Sequence, residues 1–247
     1  MDDGDDDGDD ERDTEDTEIP DYLAPYARAV ERFGDGFGSL LIADPSWQEA
    51  RFAAFARIVG LTGRGLADLG SGRADLLDWL LREGVVCRRY VGVEGLAELD
   101  GFARARAENA GWARSGVAVE LVHADFVADP ELLARLVRGG GGGGGAGAGE
   151  GGGVDVLYFG GSLNTLDEDD ALAVLDRAWA ALADTPGGVL AFNFLADGPP
   201  QWSRPPTRLP RRDTQAWFAW AHERTPLVIF AQHYLGAHDA TLVMIRP

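Results

Sequence analysis

The chain of 247 residues contains no lysine, so its 22 basic residues are all arginine, set against 41 Asp and Glu. The formal net charge of −19 repels phosphate backbones and argues against nucleic acid as a partner. Arg204, Arg208, Arg211 and Arg212 form one local basic cluster that would help hold an anionic partner. Cysteine is almost absent as well. The single Cys87 excludes an intramolecular disulfide framework and a cysteine-rich metal site, and no metal is expected. No apolar run approaches the roughly 20 residues needed to cross a bilayer. The first residues are acidic rather than basic and then apolar, unlike a signal peptide. These absences lead us to expect a soluble, cytoplasmic protein with no membrane partner.

Hydrophobic residues make up 45% of the chain, enough for one sizeable core. Residues 1–18 hold twelve acidic residues and one arginine, leaving about −8 for the rest, and are expected to be a disordered acidic tail. Residues 19–63 read as a helical cap. Tyr22, Leu23, Tyr26, Ala27, Val30 and Phe33 recur at helical spacing. A second helix starts at Asp44-Pro45-Ser46, with Ser46 and Glu49 as a capping box, and stops at Gly60. Residues 64–247 then alternate. Apolar runs at 66–70, 90–94, 117–123, 154–159 and 188–194 are separated by helical patterns at 73–82, 96–109, 130–137 and 167–183. Near-continuous apolar strands alternating with helices predict an α/β fold, a doubly wound and mostly parallel sheet with helices on both faces. Two last runs, 227–234 and 240–245, are joined by too few residues for a parallel crossover, so they predict a terminal antiparallel hairpin in a seven-stranded sheet. Residues 139–153, nearly all glycine, read as a flexible insertion.

Three acidic positions fall at successive strand ends. Asp68 precedes Gly70-Ser71-Gly72, a turn that lets a ligand approach the backbone and opens a helix whose N-terminus presents free N–H groups. A dinucleotide loop would have glycine at position 75, but Asp75 stands there, and a carboxylate repels a pyrophosphate. A cationic ligand without phosphate fits better. Glu94 ends the second strand, where a carboxylate can accept from both ribose hydroxyls. Asp125 and Phe126 follow the third strand and suit an adenine, with N6 donating to the carboxylate and the ring packing on the phenyl group.

The segments DLGSGRADLL, YVGVE, VHADF, VDVLYFGGSLNTL and GGVLAFNFL resemble those of the class I S-adenosylmethionine (SAM)-dependent methyltransferases across residues 64–247. The resemblance implies SAM as cofactor. Asp68, Gly70, Ser71 and Gly72 would then lie at its methionine end, Glu94 at the ribose, and Asp125 and Phe126 at the adenine. Gly161, Ser162 and Asn164, after the fourth strand, would line the methyl-transfer cleft. Ala74 stands where glycine is commoner in the family.

Methyl transfer from a sulfonium needs an acceptor held in line and water kept out. A hydroxyl or ammonium acceptor also needs a base. Candidates near strand ends are Asn193, His123, His233, His238 and Asp239, with Asn193 read equally well as a substrate-orienting or a core residue. No Asn/Asp-Pro-Pro-aromatic tetrapeptide follows the fourth strand, which argues against nucleobase amino methylation. Cys87 lies before the second strand, away from the cleft, which argues against covalent attack on a pyrimidine. Substrate recognition is expected from two covering parts: the cap, with Trp47, Gln48 and Arg51, and the Pro-rich connection 197–212, with Trp202. The expected acceptor is a small molecule. A protein or RNA methyltransferase and a catalytically inactive SAM-binding module remain as alternatives, and an NAD-dependent oxidoreductase is disfavoured by Asp75.

Overall fold

The computed structural model describes residues 19–139, 152–198 and 207–247. The expected acidic tail, most of the glycine insertion, Trp202 and Arg204 lie outside the described residues.

The seven strands are β1 (Gly65–Leu69), β2 (Arg89–Glu94), β3 (Ala118–His123), β4 (Val156–Phe159), β5 (Val189–Leu195), β6 (Val228–Ala231) and β7 (Asp239–Ile245). They form one sheet in the order β3-β2-β1-β4-β5-β7-β6. The first five are parallel, and β7 runs antiparallel between β5 and β6. The expected doubly wound sheet with its antiparallel end is therefore present. The order reverses between β1 and β4, the switch point where such sheets open a ligand crevice beyond the strand C-termini.

The helices are α1 (Ala24–Phe33), α2 (Pro45–Val59), α3 (Asp75–Arg82), α4 (Ala97–Ala110), α5 (Leu132–Arg138), α6 (Glu168–Ala181) and α7 (Thr214–Arg224). Strand side chains alternate between two apolar cores. Leu66, Tyr90, Val156, Tyr158 and Ala191 pack against Phe52 and Phe55 of α2 and Leu76, Leu77 and Leu80 of α3. Their neighbours Leu69, Val93, Leu157, Phe159 and Phe192 pack against Leu133 of α5, Val174 and Leu175 of α6, and Trp217 of α7. Burial on both faces explains why the central strands read as unbroken apolar runs. A third, small cluster joins Tyr26 and Val30 of α1 to Leu96 and Leu99 at the start of α4, which docks the cap over the strand ends.

The local signals differ from expectation at three places. The cap of α2 is Asp44, whose carboxylate accepts from the Ser46 N–H at 2.8 Å. Glu49 makes no capping box and instead pairs with Arg82. Helix α7 is absent from the sequence reading. Its signals are the N-cap Asp213, which accepts from Gln215 and Ala216 N–H, and the buried i, i+4 pair Trp217 and Ala221. Finally, β6 ends at Ala231, so Tyr234 leaves the hairpin and enters a polar cluster described below. The described C-terminal end of the glycine insertion is held: Arg88 donates to the Gly153 carbonyl at 2.9 Å and Arg89 to the Gly152 carbonyl at 2.5 Å.

The cap is tied to the sheet by a buried ion pair. Arg51 of α2 donates through Nε (2.8 Å) and Nη2 (2.6 Å) to Oδ2 of Asp239, the first residue of β7. Removing one partner strands the other charge in the interior. Asp239→Ala is therefore expected to cost about 3–5 kcal/mol of folding stability in urea melts. The double replacement Arg51→Met with Asp239→Leu should recover most of that loss. A double variant no better than the single one would show that the pair itself, rather than its imbalance, holds the cap.

Candidate functional site

A cleft opens over the C-terminal ends of β1, β2, β3 and β4. The turn Gly70-Ser71-Gly72 forms its floor, together with Glu94, Asp125 and Phe126. Gly161, Ser162 and Asn164 form one wall, and cap residues including Tyr26, Trp47 and Arg51 form the roof. Thus seven of the eight positions expected at a cofactor share one cavity, and Asp68 stands apart from its wall. Ser162 and Asn164 line it too. Asn193 does not, and Trp202 lies outside the described residues.

The glycine turn follows from the backbone. Gly70 has φ +77°, and a Cβ there would fall 2.4 Å from that of Ser162, so the turn and the segment after β4 touch directly. Gly70 and Ser71 N–H both donate to the Val93 carbonyl, at 2.8 and 3.0 Å. Ser162 closes the contact by donating to the Leu69 carbonyl at 2.6 Å. Glu94 is held from two sides: Oε2 accepts from Gly72 N–H at 2.8 Å and Oε1 from Leu96 N–H at 2.9 Å. Burial pushes its carboxyl above the usual range, and those N–H groups partly oppose the rise. Asp125 Oδ1 accepts from Val127 N–H at 2.8 Å, and Oδ2 accepts from the Tyr22 hydroxyl. Tyr22 lies just before α1, so the cap reaches the carboxylate that follows β3, a contact between distant segments that no local motif announces. Phe126 meets Phe159 edge-on, with its centroid at 5.4 Å, and presents little surface to the cleft.

Asp68 is buried beneath the turn and accepts from the Tyr90 hydroxyl at 2.7 Å. Burial, opposed by that hydrogen bond and reinforced by nearby Glu94, raises its carboxyl to about 7. Among the described residues, no cation pairs with Asp68, Glu94 or Asp125 within 4.0 Å. Asp75, by contrast, is spent on Arg73 and Arg106, so the case against a pyrophosphate does not rest on its charge. It rests on the uncompensated carboxylates of the floor.

Asn193 is fully buried and accepts from the Tyr158 hydroxyl while donating to Tyr234 (2.9 Å) and Thr241 (2.6 Å). That satisfied core amide places it with its structural alternative. Of the expected basic cluster, Arg204 lies outside the described residues and Arg208 is exposed, while Arg211 and Arg212 turn inward. Arg211 donates to the Ala196 carbonyl at 2.9 Å. Arg212 is buried and donates to the Leu163 (3.2 Å) and Leu166 (2.6 Å) carbonyls, bracing the cleft wall rather than awaiting an anion. Of the histidines, His238 alone lines the cleft. Cys87 is buried away from it.

No family model matches the chain, and no curated protein matches it. Solved structures do. The pyocyanin biosynthetic protein PhzM superposes with a TM-score of 0.57 at 15% identity, over 90% of this chain and 62% of its own. The mitomycin 7-O-methyltransferase MmcR gives 0.56 at 17% identity, over 92% and 61%. A SAM-dependent methyltransferase from Aquifex aeolicus gives 0.55 at 14% identity, over 90% and 98%. The chain therefore spans about three-fifths of the length of the first two.

The Asp68 carboxyl offers a test of the site's electrostatics. Its proton is held more tightly in the fold than in the unfolded chain, where the reference value is 3.8. The stability it allows is thus present at low pH and is lost as pH rises from about 4 to about 7. Asp68→Asn keeps an acceptor for Tyr90 and removes the charge. Its stability relative to wild type should rise across that window and level off above it, read by urea denaturation at pH 4, 5.5, 7 and 8.5. A flat difference would show that Asp68 ionises normally. Among the described residues no helix is long and apolar enough to cross a membrane. The sheet order, the glycine turn beneath the cleft and these superpositions together establish that the chain has the fold of the class I SAM-dependent methyltransferases.

Proposed function

We propose that the protein is a SAM-dependent methyltransferase acting on a small-molecule acceptor. The observation that carries this reading is the convergence of Gly70, Ser71, Gly72, Glu94, Asp125 and Gly161 on one cleft whose floor has carboxylates without a cationic partner. Carboxylates without a cationic partner among the described residues favour a cationic ligand and disfavour one bearing phosphates. The donor set therefore fits SAM better than NAD.

Bound there, SAM supplies an already activated methyl group on a sulfonium. The chain's residues do the rest. Each Glu94 oxygen accepts one backbone N–H and keeps a lone pair for a ribose hydroxyl. The Gly70–Gly72 backbone admits the methionine end at close range. Asp125 and the edge of Phe126 flank the adenine position, with Tyr22 closing over it. The cap and the Gly161–Asn164 wall exclude water and hold the acceptor in line, the main protein contribution to this chemistry. The names of PhzM and MmcR support a small acceptor by analogy of fold, and the acidic body of this chain disfavours nucleic acid.

Calorimetric titration with SAM, S-adenosylhomocysteine and NAD tests the reading. The first two should bind and NAD should not. Glu94→Ala should weaken both by at least tenfold, as loss of hydrogen bonds to a buried charged acceptor implies (about 1.5–3 kcal/mol). Binding of NAD in their place, or of none of the three, would overturn it.

A further inference from the structure

Where the Gly161 wall meets the cap, one donor on each has no acceptor among the described residues. Asn164 Oδ1 accepts from the Leu195 N–H at 3.1 Å. A backbone N–H can only donate, so the amide's orientation is forced and its nitrogen faces the other way. That nitrogen lies 3.3 Å from the point where a Cβ on Gly161 would sit. Arg51 Nη1 lies 3.8 Å from the same point. Apart from the glycine itself and its chain neighbours, no other heavy atom of the described residues comes within 4 Å of it. The Arg51 side chain is only 7% exposed. Its Nε and Nη2 go to Asp239, while Nη1 has no acceptor among the described residues. It is not a sealed-in orphan, because Arg51 lines the cleft. The two nitrogens therefore stand on either side of Gly161, no more than about 7 Å apart, and both residues line the cleft.

We propose that this donor pair is an oxyanion site for the methyl acceptor, and that the acceptor is an organic oxygen acid: a carboxylic acid, or an acidic phenol or enol. The proposal rests on the methyl-transfer reading above. Its second support is that the bases beside the site among the described residues, Asp239 and His238, are both engaged. Asp239 is engaged by Arg51. Arg211 Nη2 lies 2.9 Å from His238 Nδ1, and a guanidinium cannot accept, so Nδ1 is the acceptor and the ring proton sits on Nε2. In that state His238 has no free basic nitrogen. An acceptor that ionises by itself needs none. Its oxygen lone pair forms the new C–O bond, the methyl–sulfur bond breaks, and that electron pair stays on sulfur. The anion's charge and the sulfonium's charge cancel, and no proton moves. Leu40, Ile42, Trp47, Leu166, Leu195 and Leu209 line the remaining space, so the acid has an apolar body.

A matched pair, 2-naphthoate and the uncharged 2-naphthamide, and a second acid, 4-nitro-1-naphthol, test this. Each is titrated calorimetrically into the full-length protein, with and without S-adenosylhomocysteine, and assayed for S-adenosylhomocysteine release with SAM. At least one acid should bind tenfold or more tighter than the amide and be methylated. Preference for naphthoate identifies a carboxylate acceptor, and preference for the nitronaphthol an acidic phenol or enol. Arg51→Lys keeps a charge for Asp239 but loses the second arm of the fork. Asn164→Asp keeps the acceptor for Leu195 but places an anion at the site. Both should weaken the acid at least tenfold and change S-adenosylhomocysteine affinity less than twofold. An amide that binds as well as the acids, no binding of either acid, or acid affinity unmoved by both substitutions overturns the proposal. If the acid binds through Arg51 and Asn164 while S-adenosylhomocysteine does not bind the wild type, the anion site stands and the methyl-transfer reading falls.

Discussion

Arg51 and Asp239 lie 188 positions apart in sequence, and their side chains are 7% and 0% exposed. Moving two such charges out of water costs several kcal/mol each, and only close, well-directed contacts offset it. Here both guanidinium donors converge on a single carboxylate oxygen, while the other oxygen accepts from the Tyr234 hydroxyl at 3.1 Å. Tyr234 in turn joins Asn193 of β5 and Thr241 of β7. A chain of polar groups thus runs from α2 through the antiparallel end of the sheet. It sets the rotation of α2 about its axis, and with it the position of Trp47 and Gln48 one turn earlier on the cleft roof. An apolar contact would have held α2 as firmly, but it would have left no directed N–H beside Gly161.

The fold was legible because its signals are local. A parallel strand buried on both faces must be apolar throughout, and helices between such strands carry their own period, so the segments from 64 to 194 announce themselves. The sheet's C-terminal edge was legible for the same reason: Gly70, Glu94, Asp125 and Gly161 each follow a readable strand. What escaped depends on partners far away in sequence. Tyr22 reaches Asp125 across 103 residues, and nothing near either position requires it. Asn193 reads identically as a ligand contact or a core amide until its three partners are known. Helix α7 escaped for a different reason: between the Pro-rich connection 197–212 and the apolar run from 227 no element is assigned, although Asp213 is an ordinary cap.

The two ends of the cleft have opposite electrostatic character, and that difference does more than bind. At the floor, carboxylates are held by backbone N–H groups rather than by cations. At the Gly161 wall, donors are held by a carboxylate and a backbone amide, and each has a hand left over. Both ends are built from groups whose remaining valence faces the cavity, and burial makes leaving either unmet costly. A cationic donor therefore gains at one end and an anionic acceptor at the other, and reversing the two places like charge against like. Orientation is specified before any shape complementarity is considered. The backbone explains why glycine suits position 161: with φ +99°, any larger side chain would be strained there, and its first carbon would lie 3.3 Å from Asn164 Nδ2.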